Sequence, residues 1–194
     1  MTVIKDGTGQ GFLAGVSDQN RLRTEAVTTS DASETTDLGF GFMTNGTTLI
    51  AQTEKTVVII VNTGIFTYEI GRVWLSVQNQ QPPSTTSSTI TTVRLYVGEA
   101  TATLGTLKTP VNVNTGSLSP AFATVRADNP TIAGTDSEVK QLYFLLDDSQ
   151  LVDFEGSIIL QPTGSFRVTC TGGAGISPGT LLCAANVQFY QELG

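Results

Sequence analysis

The side chains that most enzymes use for acid–base or nucleophilic chemistry are sparse in this chain of 194 residues, which contains no histidine. Without histidine it cannot build a Ser-His-Asp triad, a Cys-His dyad or a histidine-ligated zinc site. The densest carboxylate cluster, Asp147, Asp148, Asp153 and Glu155, matches no EF-hand spacing. A glycosidase would need two of these acids across a sugar-sized cleft. We interpret the cluster as part of a solvated turn and expect no catalytic residue and no metal site.

The two cysteines, Cys170 and Cys183, flank a glycine-rich segment that contains Ser177 and Pro178. If the flanking segments pair as a hairpin, the two sulfurs would lie close enough for a disulfide. In a reducing compartment the sequence favours two buried thiols that pack as small hydrophobic groups. Two cysteines without histidine are also too few for a zinc site.

The segment Gly7-Thr8-Gly9-Gln10-Gly11 has the glycine content of a phosphate-binding loop. It lacks the Lys-Ser/Thr pair that follows such loops, no strand precedes it, and no helix follows to supply its dipole. We therefore interpret it as part of a flexible arm and expect no cofactor.

The charge of the chain excludes further classes of partner. The net charge is −7 at pH 7, and the isoelectric point is near 4.4. Nucleic acids and anionic membranes bind Lys- and Arg-rich surfaces, so neither is an expected partner. The longest apolar run, 57–61, is far shorter than the ~20 residues of a membrane-spanning helix. The first residues resemble no secretory signal, so we expect a protein made and kept in the cytoplasm until lysis.

The elements that must position any site are predicted to be strands. Apolar residues alternate with polar ones, as in Val73-Trp74-Leu75-Ser76-Val77, which indicates sheets with one buried and one wet face. Threonine is abundant and charged residues make up 14% of the chain, well below the usual ~25%, which also favours β structure. The candidate strands are 21–28, 39–44, 47–52, 56–61, 70–78, 89–97, 101–107, 121–126, 141–146, 151–160, 165–171 and 184–190.

Turn signals complete the predicted architecture. Asn45-Gly46 predicts a hairpin between its flanking strands, and 82–88 predicts a polar loop. Residues 136–140 allow at most a single helical turn. The fold class is therefore all-β, an antiparallel two-sheet β-sandwich of jelly-roll type over residues 21–194. Residues 1–20 are glycine-rich and polar, which predicts an extended N-terminal arm that orders against a partner.

Two stretches carry a resemblance to a known family. The first is Ile4-Lys5-Asp6-Gly7-Thr8-Gly9 through Val16-Ser17-Asp18-Gln19-Asn20-Arg21-Leu22. The second is Thr109-Pro110-Val111-Asn112-Val113-Asn114-Thr115-Gly116-Ser117, which follows Leu95-Tyr96-Val97-Gly98. Together they resemble the head decoration, or cement, proteins of tailed bacteriophages.

This resemblance implies a β-sandwich subunit, commonly a homotrimer, that clamps neighbouring subunits of the major capsid protein from outside the virion. Such a subunit is assembled in the host cytoplasm and has no enzymatic activity, cofactor or small-molecule substrate. The arm also holds apolar pairs that a neighbouring subunit would bury. The candidate residues for contact with the capsid partner are Val3, Ile4, Lys5, Phe12, Leu13, Arg21 and Arg23.

Two other functions stay open from the sequence. A glycan- or receptor-binding module of a phage tail or spike would use exposed aromatic rings and nearby amides. Its candidate residues are Tyr68, Trp74, Tyr96, Gln78, Asn79 and Gln80. A carbohydrate-active enzyme that uses only carboxylates is compatible with the absence of histidine, but no other feature supports it.

Overall fold

The computed structural model divides the chain into two compact units, Met1–Ser30 and Asp31–Gly194. In the first unit, β1 (Val3–Lys5) pairs antiparallel with β2 (Leu13–Gly15). The predicted strand 21–28 and the predicted boundary between residues 20 and 21 lie outside the described residues. The structure describes residues 3–5, 13–15, 39–79, 90–113, 119–145, 147–174 and 181–191.

Within its described residues, the second unit is built from strands, turns and loops. The strands are β3 (Gly39–Met43), β4 (Thr47–Thr48), β5 (Glu54–Asn62), β6 (Tyr68–Asn79), β7 (Thr91–Gly98), β8 (Thr101–Thr103), β9 (Thr106–Lys108), β10 (Val111–Asn112), β11 (Ala123–Ala127), β12 (Thr131–Ala133), β13 (Asp136–Phe144), β14 (Asp148–Leu160), β15 (Ser165–Thr171) and β16 (Leu181–Gln191).

The strand order is that of a jelly roll. The first sheet runs β10-β3-β16-β6-β14, with β4 also on β16, and the second runs β13-β7-β15-β5-β11-β9. Eight principal strands, lettered B to I in chain order, are β3, β5, β6, β7, β13, β14, β15 and β16. They form the antiparallel orders B-I-D-G and F-E-H-C, which is the double Greek key of this fold. The predicted fold class is confirmed.

The two sheets share one apolar core. Alternate residues of β6, among them Val73, Leu75 and Val77, are fully or almost fully buried, as the alternation predicts. Contact across the core is direct, because the rings of Phe154 in the first sheet and Phe166 in the second lie 5.9 Å apart. Each fully buried apolar side chain of this kind contributes about 1.5–3 kcal/mol.

Strand β5 is buried on both faces, which explains its unbroken apolar run. Ile59 points away from the shared core yet is 0% exposed. The long β7–β13 connection lies over this region, since β8 contacts β5 and the Ala100 N–H donates to Ser165 Oγ (2.9 Å). β8 pairs with β12 in a two-stranded sheet of its own. Strands covered on both sides lose the polar alternation of half-wet strands.

The predicted hairpin at Asn45-Gly46 is wrong. β3 and β4 do not pair with each other, because both pair with β16. Thr44 bonds to Ala185, and Thr47 stands opposite Cys183, so Asn45 and Gly46 together face the single residue between them. Two residues opposite one form a β-bulge, and Gly46 supplies the positive φ of +98°.

Two other local predictions are also wrong. Residues 136–140, predicted to allow a helical turn, belong to β13, where a bulge at Val139 interrupts the pairing with β7. The predicted strand 101–107 is split by a turn at Leu104 and Gly105, whose φ angles are both positive. The two halves become β8 and β9, which pair in different sheets.

Cys170 and Cys183 are free thiols in the core, and their strands do not form a hairpin. β15 belongs to the second sheet and β16 to the first, so the two side chains meet across the sandwich. The hydrogen bond to Cys183, together with burial, raises the pKa of Cys170. Cys170 therefore stays protonated and packs as a small apolar group, in line with the thiol interpretation.

A buried amide ties the two sheets together at one end of the sandwich. Asn62 is 1% exposed, and its Nδ2 donates to the carbonyls of Phe66 (2.7 Å) and Leu160 (3.0 Å). Its Oδ1 accepts the Gly64 N–H (3.0 Å). The side chain thus fixes the β5–β6 loop and joins it to the end of β14.

We expect Asn62→Ala to lower the free energy of unfolding by about 2–3 kcal/mol, because the buried carbonyl of Leu160 and the N–H of Gly64 lose their partner. Urea denaturation measures the change. The matched control is Thr63→Ala in the same exposed loop, where the Phe122 carbonyl keeps its bond from the Thr63 N–H. The control should change stability by less than about 0.5 kcal/mol. Equal losses in both variants would contradict the role of Asn62.

Candidate interaction surfaces

An exposed row of mainly apolar side chains crosses the outer face of the first sheet. Met43, Asn186, Trp74 and Leu151 stand opposite one another on β3, β16, β6 and β14. Directly opposed residues share a face of a sheet, so these four side chains point the same way. Met43 is 69%, Leu151 46% and Trp74 44% exposed, although each is large and hydrophobic.

The next row on the same face is polar. Gly41, Gln188, Arg72 and Asp153 stand opposite one another on the same four strands. Arg72 Nε lies 2.9 Å from Asp153 Oδ2, and both side chains are partly exposed. An exposed ion pair of this kind contributes little stability, but it leaves this row with no net charge.

Tyr190 continues the face beyond this row and lies against two glycines. A Cβ at Gly71 would lie 2.5 Å from Tyr190 Cε2, and one at Gly39 would lie 3.2 Å from the same ring. The ring therefore needs glycine on β6 and β3 to lie flat across the sheet. Gly71 is the extra residue where the register of β6 with β16 shifts. The sequence signal for this arrangement is only a lone tyrosine and two glycines far apart in the chain.

We call this face the Trp74 surface; its members are Met43, Arg72, Trp74, Leu151, Asp153, Asn186, Gln188 and Tyr190. Trp, Tyr, Met and Arg are the residue types enriched in protein–protein interfaces. The aromatic rings can stack on a flat partner, and the amides of Asn186 and Gln188 can donate and accept hydrogen bonds. The carboxylate in these two rows, that of Asp153, is paired with Arg72, so what the arrangement offers is binding.

The outer face of the second sheet is charged, and several of its charges are paired within the protein. Arg94 on β7 lies 3.3 Å from Glu138 and 3.7 Å from Glu54. Glu54 Oε1 also accepts the hydroxyls of Tyr96 (3.0 Å) and Thr169 (2.6 Å). This network uses the carboxylate of Glu54 to hold neighbouring strands together rather than to exchange protons with a ligand.

Arg167 completes the network on this face. It makes a two-pronged bond to Asp136, Nε–Oδ2 2.5 Å and Nη2–Oδ1 2.9 Å, and both side chains are largely buried. Its guanidinium also lies 4.3 Å from the centre of the Tyr96 ring, which is a cation–π contact. Strands β13, β7 and β15 are thereby linked through their side chains.

The described side chains of the predicted acidic cluster each bond to a different partner. Asp147, at a positive φ of 58° in the turn before β14, accepts the Asn79 N–H (2.8 Å). Asp148 accepts the Ser149 N–H, while Asp153 pairs with Arg72. The side chain of Glu155 lies outside the described residues. In the described part of the chain no group of three or more Asp, Glu, Cys or His could hold a metal ion.

The structure describes some of the residues predicted to contact the capsid and not others. Val3, Ile4 and Lys5 form β1 and Leu13 begins β2, whereas Phe12, Arg21 and Arg23 lie outside the described residues.

The aromatic residues predicted for a glycan site do not converge. The prediction of an exposed ring at Tyr68 is wrong, because Tyr68 is 0% exposed and makes edge-to-face contacts with Phe40 and Phe189. Tyr96 lies on the second sheet, far from Trp74 in the fold, and Gln80 lies outside the described residues. The predicted Gln78 does lie on the same exposed face as Trp74, four residues along β6. The amides of the neighbouring strand are those of Asn186 and Gln188, which local sequence cannot reveal because β16 is more than a hundred residues away.

Across the described ranges, no helix is long and apolar enough to cross a membrane. No protein-family model and no curated protein sequence matches the chain.

Two solved structures show a distant similarity. A chain of Desmodium yellow mottle tymovirus is 10% identical, covers 81% of this chain and 82% of its own length, and has a TM-score of 0.28. A chain from the T13 IBDV viral particle is 8% identical, covers 79% of this chain and 31% of its own, and has a TM-score of 0.23. Similarities this distant establish neither fold nor function, so the jelly roll rests on the strand order of the chain itself.

The raised pKa values of two tyrosines determine how the stability of the protein depends on alkaline pH. Burial raises the pKa of Tyr68 above 10.0, and the hydrogen bond from the Phe122 N–H opposes part of that rise. Burial and the bond to Glu54 raise the pKa of Tyr96. The unfolded chain loses both protons first, so this stabilisation is complete below about pH 10 and is lost as the pH rises through the folded-state pKa values.

We therefore expect the urea midpoint to fall above about pH 10, and to fall less steeply in Tyr68→Phe and in Tyr96→Phe, which each remove one titrating group. Urea melts at a series of alkaline pH values measure the slope. The same slope in the wild type and both variants would show that these phenols do not cause the loss.

Proposed function

We propose that this chain is a structural virion protein that binds the outside of a tailed-phage capsid and clamps neighbouring major capsid subunits. It acts without enzymatic activity, cofactor or small-molecule substrate, assembles in the host cytoplasm and forms a homotrimer. The observation that carries the proposal is the Trp74 surface, a broad exposed face with the composition of a protein interface. The resemblance of the 4–22 and 109–117 stretches to decoration proteins supports the same function.

The physical character of the chain supports an outer position on the capsid. A protein with a net charge of −7 is repelled by packaged DNA, whereas the capsid exterior does not require contact with nucleic acid. A jelly roll of two packed sheets is also a rigid body, which loses little conformational freedom when it docks. Rigidity and an exposed face together suit a protein that reinforces a shell.

The N-terminal residues serve as the clamp in this proposal. Val3, Ile4, Phe12 and Leu13 are apolar, and burying each on a capsid subunit would contribute about 1.5–3 kcal/mol. Ordering the arm costs about 1–2 kcal/mol per residue, so backbone hydrogen bonds to the partner must offset part of that cost. Lys5, Arg21 and Arg23 add charges that suit an acidic partner surface.

One observation favours a second candidate function, a glycan- or receptor-binding module of a phage tail or spike. Trp74 is exposed with Asn186 directly opposite on β16, and Gln188 follows on the same face. A flat aromatic ring with adjacent amides is suited to sugar rings. Binding to host cells or purified surface glycans, with no binding to capsids, would support this function instead.

The proposed docking face predicts that Trp74→Ala retains the wild-type melting temperature within about 2 °C but binds capsids at least about tenfold more weakly. Trp74 is half-exposed, so its loss affects the interface more than the core. Co-sedimentation with empty capsids of the encoding phage measures attachment. The matched control is Tyr143→Ala, an exposed aromatic on β13 in the other sheet. Equal attachment by both variants would exclude the Trp74 surface as the docking face.

The proposed clamp predicts that deletion of residues 1–20 leaves the melting temperature nearly unchanged while attachment to capsids falls severely. The arm would then contribute to assembly rather than to folding, because its sequence holds three glycines within five positions, Gly7, Gly9 and Gly11, and little apolar alternation. Thermal denaturation and co-sedimentation measure the two effects. Failure of the truncated chain to fold would make the arm part of the core. Full attachment would assign the clamp to the 82–88 or 112–117 loop.

A further inference from the structure

Three loops without a charged residue lie together at one end of the sandwich. They are residues 63–67 between β5 and β6, 119–122 before β11, and 161–164 between β14 and β15. The register brings them together, since Asn62 stands opposite Ala123, and Val61 opposite Ser165. We call these loops the Ile65 end. It is distinct from the Trp74 surface, which lies on the face of the first sheet.

The Ile65 end presents large apolar side chains to water. Ile65 is 84% exposed, the highest value among the large hydrophobic residues that the structure describes. Phe122 is 49% and Phe66 39% exposed, and their rings lie 6.2 Å apart. Scattered exposed hydrophobic residues are ordinary, but three that converge at loop tips are characteristic of an interaction site.

The loops that carry these side chains are held firmly. Asn62, the last residue of β5, fixes the 63–67 loop through its bonds to Gly64 and Phe66. The N–H and hydroxyl of Thr63 both donate to the Phe122 carbonyl (3.1 and 3.2 Å), and the Phe122 N–H donates to Tyr68 Oη (2.8 Å). Because the loops are ordered before any partner arrives, association would cost little further conformational entropy.

Charge indicates which partner fits this end. Two copies of a chain with a net charge of −7 repel each other, so they can approach closely only where each is uncharged. The three loops of the Ile65 end meet this condition, and the exposed carboxylate of Glu99, which follows Gly98 opposite Ser165, lies beside them. The opposite end does not, because Glu54, Asp147 and Asp148 lie there at or near strand ends.

The edges of the sheets offer a poor alternative for self-association. β9 and β10, at one side, have only three and two residues. β13 and β14, at the other side, are interrupted by bulges, and Lys140 stands opposite the core residue Leu95. Short strands, bulges and inward-facing charges all disfavour pairing with a strand of another chain. Association through side chains at an end is therefore favoured over extension of a sheet.

We propose that copies of this chain associate through the Ile65 end, with Ile65, Phe66 and Phe122 buried at the contact. This inference rests on the proposed function only in that it assigns a surface to the homotrimer. The contact joins the chain to itself, which leaves the Trp74 surface free for a different partner.

The test measures oligomeric mass in the absence of capsids, by light scattering and sedimentation velocity over a range of micromolar concentrations. The full chain should form an oligomer. Ile65→Ser and Ile65→Asp should raise its dissociation constant at least about tenfold, with a larger effect for the aspartate. The matched control is Leu145→Ser, which removes a residue that is 61% exposed at the opposite end and should leave the mass unchanged.

Ile65 makes no contribution to the core, so both variants should keep the wild-type melting temperature. A monomeric wild-type chain would overturn the inference, as would an unchanged mass in Ile65→Asp or equal dissociation in Leu145→Ser. Failure of the proposed capsid function has a different signature, because the chain would then still self-associate through Ile65 but would not co-sediment with capsids.

Discussion

The packing of two antiparallel sheets across one apolar core is the interaction on which the second unit depends. Tyr68, Phe166 and Phe189 fill this core from both sides, and alternate residues of nearly every principal strand are committed to it. Charged side chains must therefore lie on the outer faces, at the ends or on the edge strands. The two outer faces differ in their charges, since the second sheet carries a network around Glu54 and Arg94, while the first carries the exposed Arg72–Asp153 ion pair beside Trp74.

That difference gives the subunit two kinds of surface. On the second sheet, Arg167 and Asp136 bond to each other, so these two charges are not available to a partner. On the first sheet and at the Ile65 end, apolar groups stay in water although the surrounding backbone is well ordered. Exposed apolar groups on rigid elements cost solubility in an isolated subunit, which is acceptable where the working form is an assembly.

Much of the fold could be predicted from local pattern, because alternation reports which side of a strand is buried. It correctly set Trp74 on the face opposite Val73 and Leu75. It could not identify Asn186 as the neighbour of Trp74, since strand register over so long a separation is set by the whole core. The preference of Asn45-Gly46 for a hairpin was overridden in the same way by pairing with β16. The spacing of 136–140 was misleading because a bulge at Val139 shifts the alternation by one residue.

The position of β16 constrains how the protein can be made. This strand pairs with β3 on one side and with β6 on the other along almost its whole length, yet it follows every other strand of both sheets in the chain. A ribosome must release the segment through Gln191 before the centre of the first sheet can close. Until then β3 and β6 have no common neighbour, and their apolar faces stay open. Such long-range closure slows folding and exposes nascent chains to aggregation, so yield should depend on chaperones and on temperature during synthesis.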